Sequence, residues 1–98
     1  TRKALGMAKM TIKDIDLIEM NEAFASQCIY AIKELEMEPE KVNILGGAIA
    51  LGHPLGATGA VLINRLLYEL RKRDLQTGLV NMCVADGQGM AAVVERSE

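Results

Sequence analysis

Residues 43–59 read Asn-Ile-Leu-Gly-Gly-Ala-Ile-Ala-Leu-Gly-His-Pro-Leu-Gly-Ala-Thr-Gly, and this stretch constrains the fold more than any other. Five of the nine glycines fall in it, with the chain's single histidine, His53. Glycine permits positive φ and a close approach of backbone to ligand. The stretch runs into residues 60–70, Ala-Val-Leu-Ile-Asn-Arg-Leu-Leu-Tyr-Glu-Leu, which are apolar at helical spacing. A histidine just before a helix sits where backbone N–H groups and the helix dipole favour an anion. Two readings stand: a ligand-facing loop with a functional histidine, or a plain turn whose histidine caps or hydrogen-bonds locally.

A chain of 98 residues is one small domain with a modest core. Half its residues are hydrophobic but only three are aromatic, so the core must be Ala, Val, Ile, Leu and Met. That composition suits helices packed on a short sheet. A formal charge of −2 gives no electrostatic case for a nucleic-acid partner or a membrane surface. No apolar run approaches the roughly 18 residues that span a bilayer, and no signal peptide is visible. Two cysteines are too few for a disulfide framework, and one histidine leaves too few ligands for a structural zinc site. A reducing compartment, the cytoplasm, is expected. The chain opens at Thr1 without a methionine, on what reads as the tail of a helix, and is expected to be part of something longer.

Taken in order, the spacing predicts helix over 2–10, strand over 16–20 and helix over 23–35. Phe24, Cys28, Ala31, Ile32 and Leu35 share one face of that second helix, which makes Cys28 a packed core residue. A second short strand is expected over 42–45, entering the glycine stretch. A third helix follows from Pro54 or Ala57 to Arg73, its basic last turn suited to the dipole. Residues 79–84 and 90–95 read as strands joined through Ala85-Asp86-Gly87-Gln88-Gly89, where Asp-Gly signals a hairpin. The alternation predicts an α/β layered domain, parallel strands with crossover helices closed by one antiparallel hairpin.

Asn21, His53 and Cys83 each lie at the carboxyl end of a predicted strand or in the loop after it. In an open parallel sheet those ends share one edge, so the three could converge. A cysteine near a histidine is the raw material of a thiolate, and Asn and His both stabilise a developing oxyanion. The plainer alternatives are an N-cap for Asn21 and a buried strand thiol for Cys83.

Asn21-Glu22-Ala23-Phe24, the glycine stretch with its Gly-His-Pro core, and Cys83 before a Gly-rich hairpin together resemble the C-terminal part of a thiolase. The resemblance spans essentially the whole chain, 1–98. It implies a fold of two similar βαβαβαββ halves, this being most of the second, and acyl transfer between coenzyme A thioesters of the acetyl-CoA acetyltransferase or 3-ketoacyl-CoA thiolase type. No bound cofactor is implied; coenzyme A thioesters are the substrates. Carried over by position, Cys83 would be the acid/base that moves the α-proton of acetyl-CoA. His53 would activate the acyl-accepting cysteine and, with a water held by Asn21, stabilise the thioester enolate. The N–H of Ala85 would be one donor of a second oxyanion hole. A homo-oligomer is expected, and a mitochondrial matrix or peroxisomal location if the source is eukaryotic.

Two positions depart from the family's pattern. Asn81 stands where a small residue is usual, and Ala85-Asp86 where glycines are usual. A carboxylate within about 4–6 Å of a thiol disfavours thiolate, unless it turns out to solvent. The acyl-accepting cysteine belongs to the family's N-terminal half, and Cys28 cannot replace it from a core face. The resemblance also implies that the first strand of this half is missing, and places it mid-sheet. These features keep open an alternative, a catalytically silent thiolase-like domain that binds acyl-CoA or a partner protein. A third reading, a generic dinucleotide-binding fold, has little support, since no G-x-G-x-x-G opens the helix after the first strand.

Overall fold

Four consecutive buried residues make β1 (Leu17–Met20) the middle of the protein. Side chains alternate across a strand, so Leu17 faces one layer while Ile18 and Met20 face the other. The computed structural model describes residues 1–97. β1 pairs in parallel with β2 (Thr77–Val84), from Leu17↔Gly78 to Met20↔Asn81. β2 turns back into antiparallel β3 (Gln88–Glu95), paired from Val84↔Gln88 to Thr77↔Glu95. The sheet order is β1-β2-β3.

On one face lie α1 (Arg2–Ala8) and α2 (Ala25–Glu34), whose Leu5 and Cys28 pack with Ile15, Ile18, Met20, Met37 and Leu79. On the other lies α4 (Thr58–Lys72), whose Leu62, Leu66 and Leu70 recur every fourth residue and bury against Leu17 and Val80. Each such leucine contributes about 1.5–3 kcal/mol by leaving water. A single turn of helix, α3 (Ala48–Leu51), lies inside the glycine stretch. Among the described residues no helix is long and apolar enough to cross a membrane.

Three expectations change. The strand expected over 42–45 reduces to one bridge, Val42 on Ile18. Asn43 is the cause: its φ of 48° turns the chain away from the sheet. Its side-chain amide then continues the pairing, accepting from the Met20 N–H and donating to the Met20 carbonyl, each at 2.8 Å. Secondly, α2 begins at Ala25, so Phe24 is its extended N-cap and stands 70% exposed rather than in the core. Thirdly, β1 and β2 hydrogen-bond directly, so the described sheet has no gap at its centre. Any further strand must add at an edge.

Candidate active site

Parallel pairing carries the chain past the end of β1: the Asn21 N–H donates to the Asn81 carbonyl at 2.9 Å. This holds Asn21 at the sheet's carboxyl edge, 1% exposed. It does not cap α2. Its carbonyl accepts from Gln27 Nε2 (3.2 Å) and from the Cys28 thiol (3.7 Å), so it orients the start of that helix from the side. Its side-chain Nδ2 instead faces His53 Nε2 at 3.4 Å. Its Oδ1 has no hydrogen-bond partner among the described residues.

His53 is delivered to that point by the loop around it. Gly52, at φ 94° and ψ 165°, adopts a conformation open in practice to glycine alone, and ends α3. Glu22 braces the loop from β1's side, its Oε1 accepting from the Ile49 N–H at 3.2 Å. A side chain on Gly47 would run into that carboxylate, which is why the loop can close on it. From α4, the Arg65 guanidinium donates to the Gly46 carbonyl at 2.5 Å. The loop is thus held from both layers. His53 Nδ1 lies 2.6 Å from the Oγ1 of Thr58, a buried residue at the start of α4.

Arg65 also faces Glu19, whose carboxylate points from β1 into the α4 layer and is 3% exposed. Glu19 Oε2 is 3.7 Å from Arg65 Nε and makes no hydrogen bond among the described residues. Burial pushes Glu19 up to about 7, with Arg65 opposing the shift and Glu22 and Glu69 adding to it. The neighbouring buried carboxylate, Glu69, is paired with Arg73 at 2.9 Å. Arg73 therefore serves the interior and not only the solvated end of α4.

Cys83 comes to the same edge from β2. It shares with His53 an open cleft of about 750 Å³, lined also by Phe24, Leu55, Ala85 and Asp86. Of the four residues singled out by position, Asn21 bonds His53, and His53, Cys83 and Ala85 line one cleft. Both cysteines are free thiols. Cys28 lies behind the cleft, 8% exposed, and burial pushes its thiol up, with Glu22 and Cys83 adding to the effect. A packed thiol held in its neutral form is a poor nucleophile, in keeping with its reading as core.

The two departures are accommodated. Asn81 is buried and donates from Nδ2 to Thr1 Oγ1 at 3.0 Å. Asp86 takes φ 63° and ψ 33°, the left-handed conformation that Asp tolerates better than most residues, and it is exposed. Water around an exposed carboxylate screens its field. In the full-length protein, Asp86→Gly should leave the alkylation rate of Cys83 against pH superimposable on that of the parent. A curve displaced toward lower pH would place the carboxylate against the thiol.

Four contributors escaped the reading by position: Thr58, Glu22, Asn43 and Arg65. Thr58 and Glu22 stand inside the motifs themselves, at Gly-His-Pro-Leu-Gly-Ala-Thr-Gly and Asn-Glu-Ala-Phe, and a polar residue amid small ones was the available signal.

The family model described as thiolase, C-terminal domain, matches residues 1–96. The chain is 53% identical over 97 residues to the peroxisomal 3-ketoacyl-CoA thiolase 5 of Arabidopsis thaliana, covering 97% of this chain and 21% of that protein. It is 52% identical over 96 residues to an acetyl-CoA acetyltransferase of Escherichia coli (strain K12), covering 98% and 24%. It is 54% identical over 93 residues to a peroxisomal 3-ketoacyl-CoA thiolase of Homo sapiens, covering 94% and 22%. The chain thus spans between a fifth and a quarter of the length of these curated relatives. With its motifs, its sheet edge and a family match over nearly every residue in accord, the chain belongs to the thiolase family, as a C-terminal domain.

Proposed function

We propose that this chain supplies half the active site of an acyltransferase that makes or cleaves 3-ketoacyl-CoA. The observation that carries the reading is the placement of His53 and Cys83 on one cleft, with Asn21 bonded to His53 from the buried side. An α-proton of a thioester is weakly acidic, so its removal requires a base and a stabilised enolate oxygen together. Cys83 Sγ is the base in the condensing direction. His53 and a water held by Asn21 receive the charge that develops on the thioester oxygen, and the Ala85 N–H serves the second oxyanion. The enolate carbon then attacks an acyl group held on a cysteine outside these residues, the carbon–carbon bond forms, and that cysteine leaves as thiolate. Cleavage is the reverse. Positioned acid/base groups supply about 10²–10⁴-fold and each oxyanion donor about 10²–10³-fold.

The substrates of this reading are coenzyme A thioesters, with no bound cofactor. Its partner is the remainder of a longer chain, and exposed apolar side chains beside the site support that partner: Leu45, Ile49, Leu51 and Leu55 on the glycine stretch and Val61 on α4. A compartment that keeps Cys28 and Cys83 reduced suits the chemistry, and cytosol and peroxisome both qualify. The test is thiolysis. The full-length protein, given acetoacetyl-CoA and coenzyme A, should release acetyl-CoA, and Cys83→Ala should not. A full-length protein that binds these thioesters without turning them over would leave the domain a binding module.

A further inference from the structure

Thr58 Oγ1 has two close neighbours: His53 Nδ1 at 2.6 Å and the Pro54 carbonyl at 2.9 Å. A hydroxyl carries one proton, and a carbonyl can only accept. If the Thr58 proton were turned toward Nδ1, two oxygens would face each other at 2.9 Å with no proton between them. The arrangement free of such a contact has the hydroxyl donating to Pro54 and Nδ1–H donating to the hydroxyl. The other end of the ring is compatible with this arrangement. Nε2 faces Asn21 Nδ2, itself a donor, so a proton on Nε2 would oppose another N–H. Thr58 is 4% exposed and begins α4, and its own N–H also reaches the Pro54 carbonyl at 2.8 Å, so the hydroxyl has little room to turn.

We infer that Thr58 is a positioning residue that locks His53 in the Nδ1–H tautomer and leaves Nε2 as its sole site of proton exchange. This rests on the proposed acyl transfer for its catalytic meaning, though not for its geometry. Neutral His53 then carries its lone pair at Nε2, where an acyl-accepting thiol that displaces the 3.4 Å contact to Asn21 Nδ2 can deliver its proton. Once protonated, the same Nε2–H is a donor for an enolate oxygen. The Nδ1–H bond to Thr58 is made in both states, so the ring need not turn between the two tasks. The wrong tautomer would offer a donor where the first task needs a base. In Ser-His-Asp hydrolases that error costs about 10⁴-fold in kcat.

The experiment is nitrogen NMR of the full-length protein labelled in its histidine rings, with His53→Gln identifying the His53 signals. At a pH where the ring is neutral, Nδ1 should resonate as a pyrrole-type nitrogen and Nε2 as a pyridine-type one. Pyrrole-type Nε2 in the parent protein overturns the inference, whatever any variant does. Thr58→Val, which removes the hydroxyl at nearly constant shape, should shift the ring toward the other tautomer and lower kcat about 10²-fold with KM within a few-fold. Thr58→Ser should restore both the spectrum and kcat. A Thr58→Val protein with an unchanged spectrum also overturns the lock. If the spectra behave as stated while His53→Ala leaves turnover intact, the lock stands and the proposed function fails.

Discussion

His53→Ala in the full-length protein should lower kcat by about 10³-fold or more while KM stays within a few-fold. In the proposed cycle His53 has two tasks: it takes a proton from the acyl-accepting cysteine, and it stabilises the enolate. A positioned base is worth about 10²–10⁴-fold and an oxyanion donor about 10²–10³-fold, and both go together when the ring is removed. Both interactions strengthen as charge develops in the transition state, so turnover should suffer far more than binding. His53 is only partly exposed and is gripped by Asn21 and Thr58, so its removal leaves a small polar void rather than a broken core. Steady-state thiolysis of acetoacetyl-CoA reads the split. A near-normal kcat would reduce His53 to a turn residue and return the glycine stretch to its plainer reading.

The second large effect belongs to Glu19. Its carboxyl is pushed from 4.5 to about 7 because burial outweighs the attraction of Arg65. A folded-state value above the unfolded one means that the associated stability is fully present below pH 4.5 and is lost as pH rises through 7. A shift of that size corresponds to about 3 kcal/mol. Other shifted carboxyls act in a different window. Burial acts to raise Asp16, but the N–H groups of Thr77 and Gln76, the Thr77 hydroxyl and Lys41 together hold it low, and the N–H of Thr11 holds Asp14 low, so both cost stability only below about pH 4. Glu19→Gln should therefore flatten the fall in Tm between pH 5 and 8 and leave the variant the more stable at pH 8. Arg65→Met should do the reverse, because an unpaired buried carboxylate costs about 3–5 kcal/mol, and the loss should be heavier at pH 8 than at pH 5. Parallel Tm–pH curves for parent and Glu19→Gln would show that Glu19 stays neutral throughout this range or is solvated.

Much of this was legible before any coordinates, and the reasons differ by element. α4 could be read because Leu62, Leu66 and Leu70 announce one buried face, and β1 and β2 because their apolar runs are short and bounded by polar residues. The hairpin followed from Asp86-Gly87, both of which take positive φ. The strand over 42–45 could not be foreseen to fail. Val42, Ile44 and Leu45 look like any strand, and only the left-handed Asn43, whose amide substitutes for a strand backbone, shows why pairing stops. Phe24 misled because helical spacing places it on the apolar face, whereas the chain enters α2 one residue later. The expected gap at mid-sheet came from the family resemblance rather than from the residues, and the direct pairing of β1 with β2 removes it.

At the site, position alone brought out Asn21, His53 and Cys83 because each is a chemically capable residue at a strand end or loop. Thr58, Glu22 and Arg65 act only through partners 5, 27 and 19 residues away in sequence, His53, Ile49 and Gly46. No periodicity encodes such pairs. Glu19 is a sharper case: a carboxylate in an apolar strand reads as an exposed position, and its burial depends on where α4 lies.

In the proposed cycle Cys83 moves the α-proton of a thioester whose enolate is held by His53 and a water on Asn21. Solvent deuterium entering the methyl group of acetyl-CoA isolates that step from acyl transfer. The full-length protein in deuterium oxide should label acetyl-CoA at the methyl carbon, and Cys83→Ala should abolish the labelling while still binding the thioester. Labelling that persists in Cys83→Ala, or a competent full-length protein that never exchanges the proton, would contradict it.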